Sequence, residues 1–235
     1  GGLRFETRAR TALAFVSLRA DGEREFLFYR HPSADMLFTP AEVDAERIAA
    51  ARIFHFDSIS LAAEQPRATA LHAAGLARQG GKLVSYDVNL RLPLWPDAAA
   101  AKAGILLGLR QAQIAKLSDD ELDFLTGTRA PEAVRDQLWH ADLQLMVLTM
   151  GGQGSILITP EGQRHVPSIK VTPVDTTGAG DGFVAGLLAG LLPHPTRPNL
   201  DQLTPICQFA NAVGAMTTLG RGAIPALPDH AAVRR

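Results

Sequence analysis

The sequence predicts an α/β fold: a mostly parallel sheet with helices on both faces and one small β appendage. Three observations predict it. Short apolar segments of strand type alternate with helical segments from residue 52 to residue 150, the rhythm of βαβ crossovers. One hairpin pattern stands before that rhythm, and two apolar helical segments close the chain. With 235 residues, 46% of them hydrophobic and 20% charged, the chain is long enough for one large core.

Taken in order, residues 12–30, ALAFVSLRADGEREFLFYR, alternate apolar and polar about Asp21-Gly22 and read as a β-hairpin. Thr39-Pro40-Ala41-Glu42 supplies an N-cap, a proline at the first helical position and an acid at N3, so a helix is predicted from there to about Ala51. RIFHFD reads as a strand, followed by a helix ending near Gly80-Gly81, the strand KLVSYDV, a helix over 97–110 and the strand QIAKL. Helices over about 118–126 and 131–140 lead to the strand LQLMVLTM. Residues 154–174 return to strand and turn chemistry around Glu161-Gly162. Helices over 179–192 and 200–219, parted by LPHPTRPN, complete the chain.

Composition excludes several function classes. A net charge of −1 gives no electrostatic reason for nucleic acid or an anionic membrane surface, and points to small molecules. No run of about 18 apolar residues is free of Gly, Pro or charge, and GGLRFETRAR is no signal peptide. Cys207 is the only cysteine, which excludes an internal disulfide or a cysteine-rich zinc site and fits a reducing cytoplasm. Seven histidines without HxH or HExxH spacing predict no zinc centre.

In open α/β sheets ligands sit outside the carboxyl ends of the strands. The unusual residues fall there: Asp87, Asn89 and Arg91 after KLVSYDV, Ser118 to Glu121 after QIAKL, and Thr149 to Gly154 after LQLMVLTM. The first three alternate, which places them on one side of an extended segment. In LSDDE, Ser118 and Glu121 form a capping box, and the same acids could arrange waters around Mg²⁺. TMGGQG is either an ordinary turn or a bare-backbone shelf for a nucleotide.

VDTTGAGDGFVAGLLAGL, residues 174–191, carries the sharpest signal. Gly178 and Gly180 let the backbone approach a ligand, and first-turn N–H groups without intrahelical acceptors can hold an anion. Asp181 as a complement to the helix dipole alone is worth about 0.3–1 kcal/mol, while each helical glycine gives up roughly 1 kcal/mol against alanine. A functional role is therefore favoured. The P-loop pattern fails, because GLARQGGKL has Leu83 where Ser or Thr belongs. The dinucleotide fingerprint fails at Phe183, its third glycine position, which leaves NAD binding a minor alternative.

Read together and in order, DTTGAGD, DVNLR, TMGGQG and NAVGAMTTLGRGAIPALP resemble the ribokinase-like (pfkB-type) carbohydrate kinases over nearly the whole chain, the fructokinase branch in particular. The resemblance implies a three-layer αβα fold with a small β lid, ATP as phosphoryl donor, Mg²⁺ and possibly K⁺. It implies residues 1–38 as mainly the lid and its connections and residues 39–235 as the nucleotide-binding and catalytic core. Asp181 matches the catalytic base, and the N–H groups of Gly178, Ala179 and Gly180 match the anion hole for the transferring group. Phe28, Arg30 and Arg91 match sugar contacts. Asn89, Ser118, Thr149, Gly151, Gly154, Gly178, Gly180 and Asn211 match the nucleotide side. Glu121 matches the glutamate that organises Mg²⁺ through water, although Ser118 stands where the family usually has Asn. Asp175 and the carbonyl of Thr177 match a monovalent cation site.

The implied partners are ATP and a free sugar, with a homodimer through the lid, where Phe26 and Phe28 are expected on an exposed face. The related 2-keto-3-deoxygluconate kinases are similar too, commonly with Tyr at the position of Phe28; the missing hydroxyl favours fructose. Family members begin with a strand carrying a substrate-binding Asp and then a GGxxxN motif, and Gly1-Gly2-Leu3-Arg4-Phe5 does not continue into that pattern. The expectation is a chain matching the C-terminal two-thirds or more of such a kinase, with a non-catalytic nucleotide-binding remnant as the reading of a different class.

Overall fold

The computed structural model describes residues 2–18, 24–30, 32–194 and 198–233. The first alternating pattern forms a two-stranded sheet of its own, β1 (Leu13–Leu18) antiparallel to β2 (Arg24–Tyr29), with Leu13 opposite Tyr29 and Ala14 opposite Phe28. The expected Asp21-Gly22 turn lies outside the described residues. Because side chains alternate along a strand, the hairpin has two faces. Leu13, Phe15, Leu27 and Tyr29 share one and are each more than half exposed. Phe28 points to the other and is partly buried; the side chain of Phe26 lies outside the described residues. The exposed apolar face is thus the one opposite to that expected from Phe26 and Phe28.

The βαβ rhythm builds a six-stranded sheet in sequence order: β3 (Ile53–Asp57), β4 (Leu83–Asp87), β5 (Ile114–Ser118), β6 (Leu145–Thr149), β7 (Ser155–Thr159) and β8 (Gly162–Val166). The first four are parallel, and β7 and β8 turn back antiparallel. Successive residues of the buried strands feed opposite cores. Val84, Tyr86, Ala115, Leu117, Met146 and Leu148 pack with residues of α2 (Glu64–Gln79), α3 (Ala98–Leu109) and α4 (Asp119–Thr126). Ile114, Leu145, Val147 and Leu157 pack with Phe183, Leu187 and Leu191 of α5 (Ala179–Leu191) and Leu203, Ile206 and Ala210 of α6 (Leu200–Thr217). Each fully buried aliphatic side chain contributes about 1.5–3 kcal/mol, which fixes the strand register because a one-residue slip would exchange the two sets.

Two expected helices differ. Thr39 and Glu42 do form the reciprocal capping box, but it opens only a 3₁₀ turn, Pro40–Glu42. Asp44 then accepts a hydrogen bond from the Arg47 N–H and caps a fresh helix, α1 (Ala45–Ala50 in chain order before α2), so a second N-cap two residues on wins over continuation. The segment expected to be helical over 131–140 closes only as a π-type turn, Val134–Leu138. Val134 and Leu138 are both buried there, while Arg135 reaches the carbonyls of Thr159 and Gly162 and lies over the Trp139 ring. Those tertiary contacts outweigh helix propensity.

Candidate active site

The carboxyl ends of β3, β4 and β5 bring Asp57, Asp87 and Lys116 side by side, because Asp57 is in register with Asp87 and Asp87 with Lys116. One strand further, Ser118 pairs with Thr149. Above this row lie two cavities. The first, about 760 Å³, is lined by Phe28, Asp87, Asn89, Arg91, Lys116, Ser118, Glu121, Thr177, Gly178, Gly180 and Asp181. The second, about 490 Å³, is lined by Thr149, Gly151, Gly154, Ala179, Gly180, Phe183 and Asn211 among others. Thr176 and Gly180 border both, so the start of α5 is the wall between them.

That wall is built from its glycines. Gly178 is the N-cap of α5 in the left-handed region, φ 79°, and a Cβ there would stand 2.9 Å from the Cβ of Ala223. The Ala179 N–H turns back to the Thr176 carbonyl at 3.2 Å, and the first helical bond runs from Gly182 N–H to the Gly178 carbonyl at 2.8 Å. Among the described residues the N–H groups of Gly178, Gly180 and Asp181 have no backbone acceptor, so the open donors are these rather than the Ala179 N–H expected from sequence. The Asp181 side chain is exposed to the first cavity with no hydrogen-bond partner among the described residues.

Lys116 is the residue sequence reasoning missed. Its ammonium donates to Asp87 Oδ1 at 3.0 Å, both side chains being less than a tenth exposed. It also faces the helix start, since a Cβ on Gly180 would lie 3.4 Å from Lys116 Nζ. Burial raises the pKa of the Asp87 carboxyl to about 6, against the opposing pull of Lys116. Burial works against the Lys116 ammonium, yet Asp87 and Glu121 hold its pKa above the ordinary lysine value. The pair is therefore ionised at neutral pH. A lysine inside the apolar strand QIAKL, beside a strand ending in aspartate, was the available signal.

Asp87, Asn89 and Arg91 do line one cavity, though not as an extended strand. The chain bends at Asn89, whose φ of 35° is the single positive value at a non-glycine among the described residues. The bend is held from three sides: Asn89 N–H to Asp87 Oδ1 at 3.2 Å, Asn89 Nδ2 to Asp57 Oδ2 at 3.1 Å, and Leu90 N–H to Glu121 Oε1 at 2.8 Å. Glu121 Oε2 meanwhile accepts the Ser118 N–H at 2.7 Å, completing the capping box of α4. Asn89 thus lines the first cavity and not the second.

In the second cavity Gly151, φ 53°, and Gly154, φ 96°, form the shelf after β6. A Cβ on Gly154 would stand 2.2 Å from the Val166 carbonyl oxygen, so only glycine lets that shelf close on β8. Thr149 Oγ1 donates to the Leu117 carbonyl at 3.3 Å. Asn211 borders the cavity, but its amide holds the scaffold: Nδ2 donates to the Val166 carbonyl at 3.0 Å and Oδ1 accepts from Ser155 Oγ at 3.1 Å. Arg30 is not brought to either cavity. Its guanidinium pairs with Asp35 at 2.7 Å and donates to the Ile59 carbonyl at 3.1 Å, bordering a separate hollow beside β3. Asp175 accepts from the Thr177 N–H and hydroxyl with one oxygen and from the Gly222 N–H with the other, folding the loop that delivers Gly178.

A carboxylate and three open N–H groups at one helix start, faced by a buried ammonium and set where Gly180 parts two cavities, have the makings of a small-molecule phosphotransferase site. The pfkB family carbohydrate kinase profile matches residues 2–230, and the chain belongs to that family. It is 50% identical to a probable fructokinase-7 of Arabidopsis thaliana over 99% of this chain and 69% of that protein. It is 49% identical to fructokinase-1 of Zea mays over 99% of this chain and 73% of the relative. Among solved structures, a fructokinase with bound ATP from Xylella fastidiosa superposes with a TM-score of 0.89 at 32% identity, over 97% of this chain and 74% of that one. A Vibrio cholerae fructokinase bound to fructose, ADP and calcium gives 0.86 at 32% identity, over 99% and 75%.

Proposed function

We propose that this protein is an ATP-dependent fructokinase that moves the γ-phosphoryl group of ATP to a hydroxyl of fructose. The observation that carries the reading is the start of α5, where Gly180 borders both cavities and Asp181 lines the first beside the open N–H groups of Gly178 and Gly180. The identities near 50% to plant fructokinases support fructose as the sugar.

In this reading the first cavity takes fructose against Phe28 and Arg91, with one hydroxyl directed at Asp181. The second takes the adenosine part of ATP over the Gly151 and Gly154 shelf. The γ-phosphoryl group then lies at the helix start, where fixed N–H groups and the Lys116 ammonium meet the charge on its oxygens. Transfer passes through a loose transition state, so alignment and charge stabilisation count for more than early proton removal. Asp181 takes the hydroxyl proton as the new O–P bond forms, and ADP leaves with the bonding electron pair of the broken bond. The hairpin, residues 1–38 with its connections, acts as a lid over the 39–235 core, keeping water from competing as acceptor.

The residues present fit a hydrated Mg²⁺. Each Glu121 oxygen accepts one backbone N–H and keeps a lone pair, and among the described residues no group of three or more His, Cys, Asp or Glu is placed to hold a metal ion by itself, so the ion would keep most of its waters. Such an ion supplies charge neutralisation on the phosphates. Asp175 and the Thr177 carbonyl are read as a K⁺ site, in line with a Vibrio cholerae fructokinase variant described with fructose, ADP and potassium bound. The outward apolar face of Leu13, Phe15, Leu27 and Tyr29 is read as a homodimer contact, which sedimentation equilibrium of a Phe15→Ser, Leu27→Ser variant checks as a halved mass. Among the described residues no helix is long and apolar enough to cross a membrane, and a cytoplasmic location accords with the lone buried Cys207.

The test is coupled ADP release with fructose, 2-keto-3-deoxygluconate and ribose. The expected result is a kcat/KM for fructose at least about ten-fold above the others. ATP binding without sugar-dependent turnover, or a preference for the keto-deoxy acid, overturns it.

A further inference from the structure

We propose that Asp87 is a positioning residue that registers the two halves of the site through a single carboxylate oxygen. Asp87 Oδ1 accepts from Lys116 Nζ at 3.0 Å on the phosphoryl side and from the Asn89 N–H at 3.2 Å on the sugar side. Lysine has a flexible four-carbon stem and a compact charge, so in a cavity it needs a fixed partner to hold one position. Here that partner lies in the neighbouring strand at matched register, with both groups buried. The ammonium is thereby held facing Gly180, where the anion seat lies.

The sugar side depends on the same atom. Asn89 adopts φ 35°, a conformation that persists only where the surroundings over-determine it. Asp57 holds its side chain and Glu121 holds the next N–H, while Asp87 holds the Asn89 N–H itself. The carried consequence is that Leu90 and Arg91 leave the bend in a direction set by Asp87. One oxygen thus sets both the cation that meets the moving phosphoryl group and the turn that presents Arg91 to the sugar cavity. The inference rests on the placement of the phosphoryl group at the start of α5 given above.

The experiment is a double-mutant cycle on the full chain: wild type, Asp87→Asn, Lys116→Met and the double variant, with Asp87→Ala alongside. Asparagine keeps an oxygen for the Asn89 N–H but gives the ammonium no charge. Asp87→Asn is expected to lower kcat about 100-fold, the scale of losing one fixed electrostatic contact in a transition state. In the Lys116→Met background the same change lowers kcat by less than about three-fold, because effects transmitted through a shared partner are not additive. Calorimetry with the non-hydrolysable triphosphate AMP-PNP shows about ten-fold weaker binding for Asp87→Asn, with ADP changed less than about two-fold, since one tenfold step reports the γ-phosphate contact. Asp87→Ala adds a rise in the fructose KM that Asp87→Asn lacks.

The double variant removes both charges of the buried Asp87–Lys116 pair, so its melting temperature recovers toward wild type while kcat stays low. Equal losses of kcat in both backgrounds, equal weakening of AMP-PNP and ADP, or kcat recovering with the melting temperature would overturn the proposal. Wild-type protein that binds AMP-PNP without turning over fructose would sink the fructokinase reading alone, and the AMP-PNP to ADP contrast would still decide the role of Asp87.

Discussion

Asp181 has no hydrogen-bond partner among the described residues and lies exposed in its cavity, so its removal leaves no buried group stranded. Asp181→Asn is therefore expected to lower kcat about 10³-fold, within the usual range for a general base, while the KM values and the melting temperature stay near wild type. Steady-state ADP release and thermal unfolding of the same preparation check it; a kcat within ten-fold of wild type would remove Asp181 from the chemistry. This residue was legible in the sequence because two glycines and an acid at the start of an apolar helix have no economical structural explanation. Lys116 was not, since a lone cation in a short apolar strand shows its meaning only once Asp87 stands beside it. The place of Arg30 was not legible either: its partner Asp35 lies five residues on, and the guanidinium borders a separate hollow rather than the cavity of Asp87 and Asp181.

At the scale of elements, helix placement depends on where side chains are absent. α3 packs so closely against β4 and the turns that follow β3 and β4 that a Cβ on Gly104 would stand 2.3 Å from the Trp95 ring, and one on Gly108 2.6 Å from Tyr86 and 2.7 Å from Leu61. Gly75 in α2 has nothing within 4 Å of the same position. The two glycines should answer alanine with opposite signs. Gly75→Ala is expected to stabilise by about 0.5–1 kcal/mol through helix propensity, and Gly108→Ala to destabilise by about 1–3 kcal/mol through overpacking despite the same propensity gain. Urea midpoints measure both, and a stabilising Gly108→Ala would mean that α3 sits further from Tyr86. Strands and long helices could be read from apolar period because burial imposes it on both faces. The break at Val43-Asp44 and the turn Val134–Leu138 could not, because each is decided by a competing cap or by partners such as Thr159 and Gly162 far along the chain.

For the whole molecule, the parallel strand ends gather ionisable groups into a row that no single segment announces, and the row gives the protein a pH response separable from its stability. Asp87 faces Lys116 across β4 and β5, with Asp57 on the neighbouring strand, Glu121 from α4 and Asp181 beyond the ammonium from α5. Its folded-state pKa is raised from 3.8 to about 6 by burial, so it binds a proton in the folded state before it does in the unfolded chain. The stability linked to that proton is present in full below the unfolded value and is lost as pH rises through about 6. Activity should run the other way, because protonating Asp87 releases Lys116 from its charged partner. The kcat for fructose is therefore expected to fall as pH drops through about 6, in a window where the Asp87 proton itself favours the folded state. The clean readout is the difference between wild type and Asp87→Asn: the acid limb of kcat disappears in the variant, and the melting-temperature difference between the two proteins shifts in favour of wild type as pH is lowered from 7 to 5, across that pKa of about 6. An acid limb of the same midpoint in Asp87→Asn would assign the titration to another group, and a melting-temperature difference moving the opposite way would mean that the Asp87 carboxyl is stabilised rather than strained by its burial.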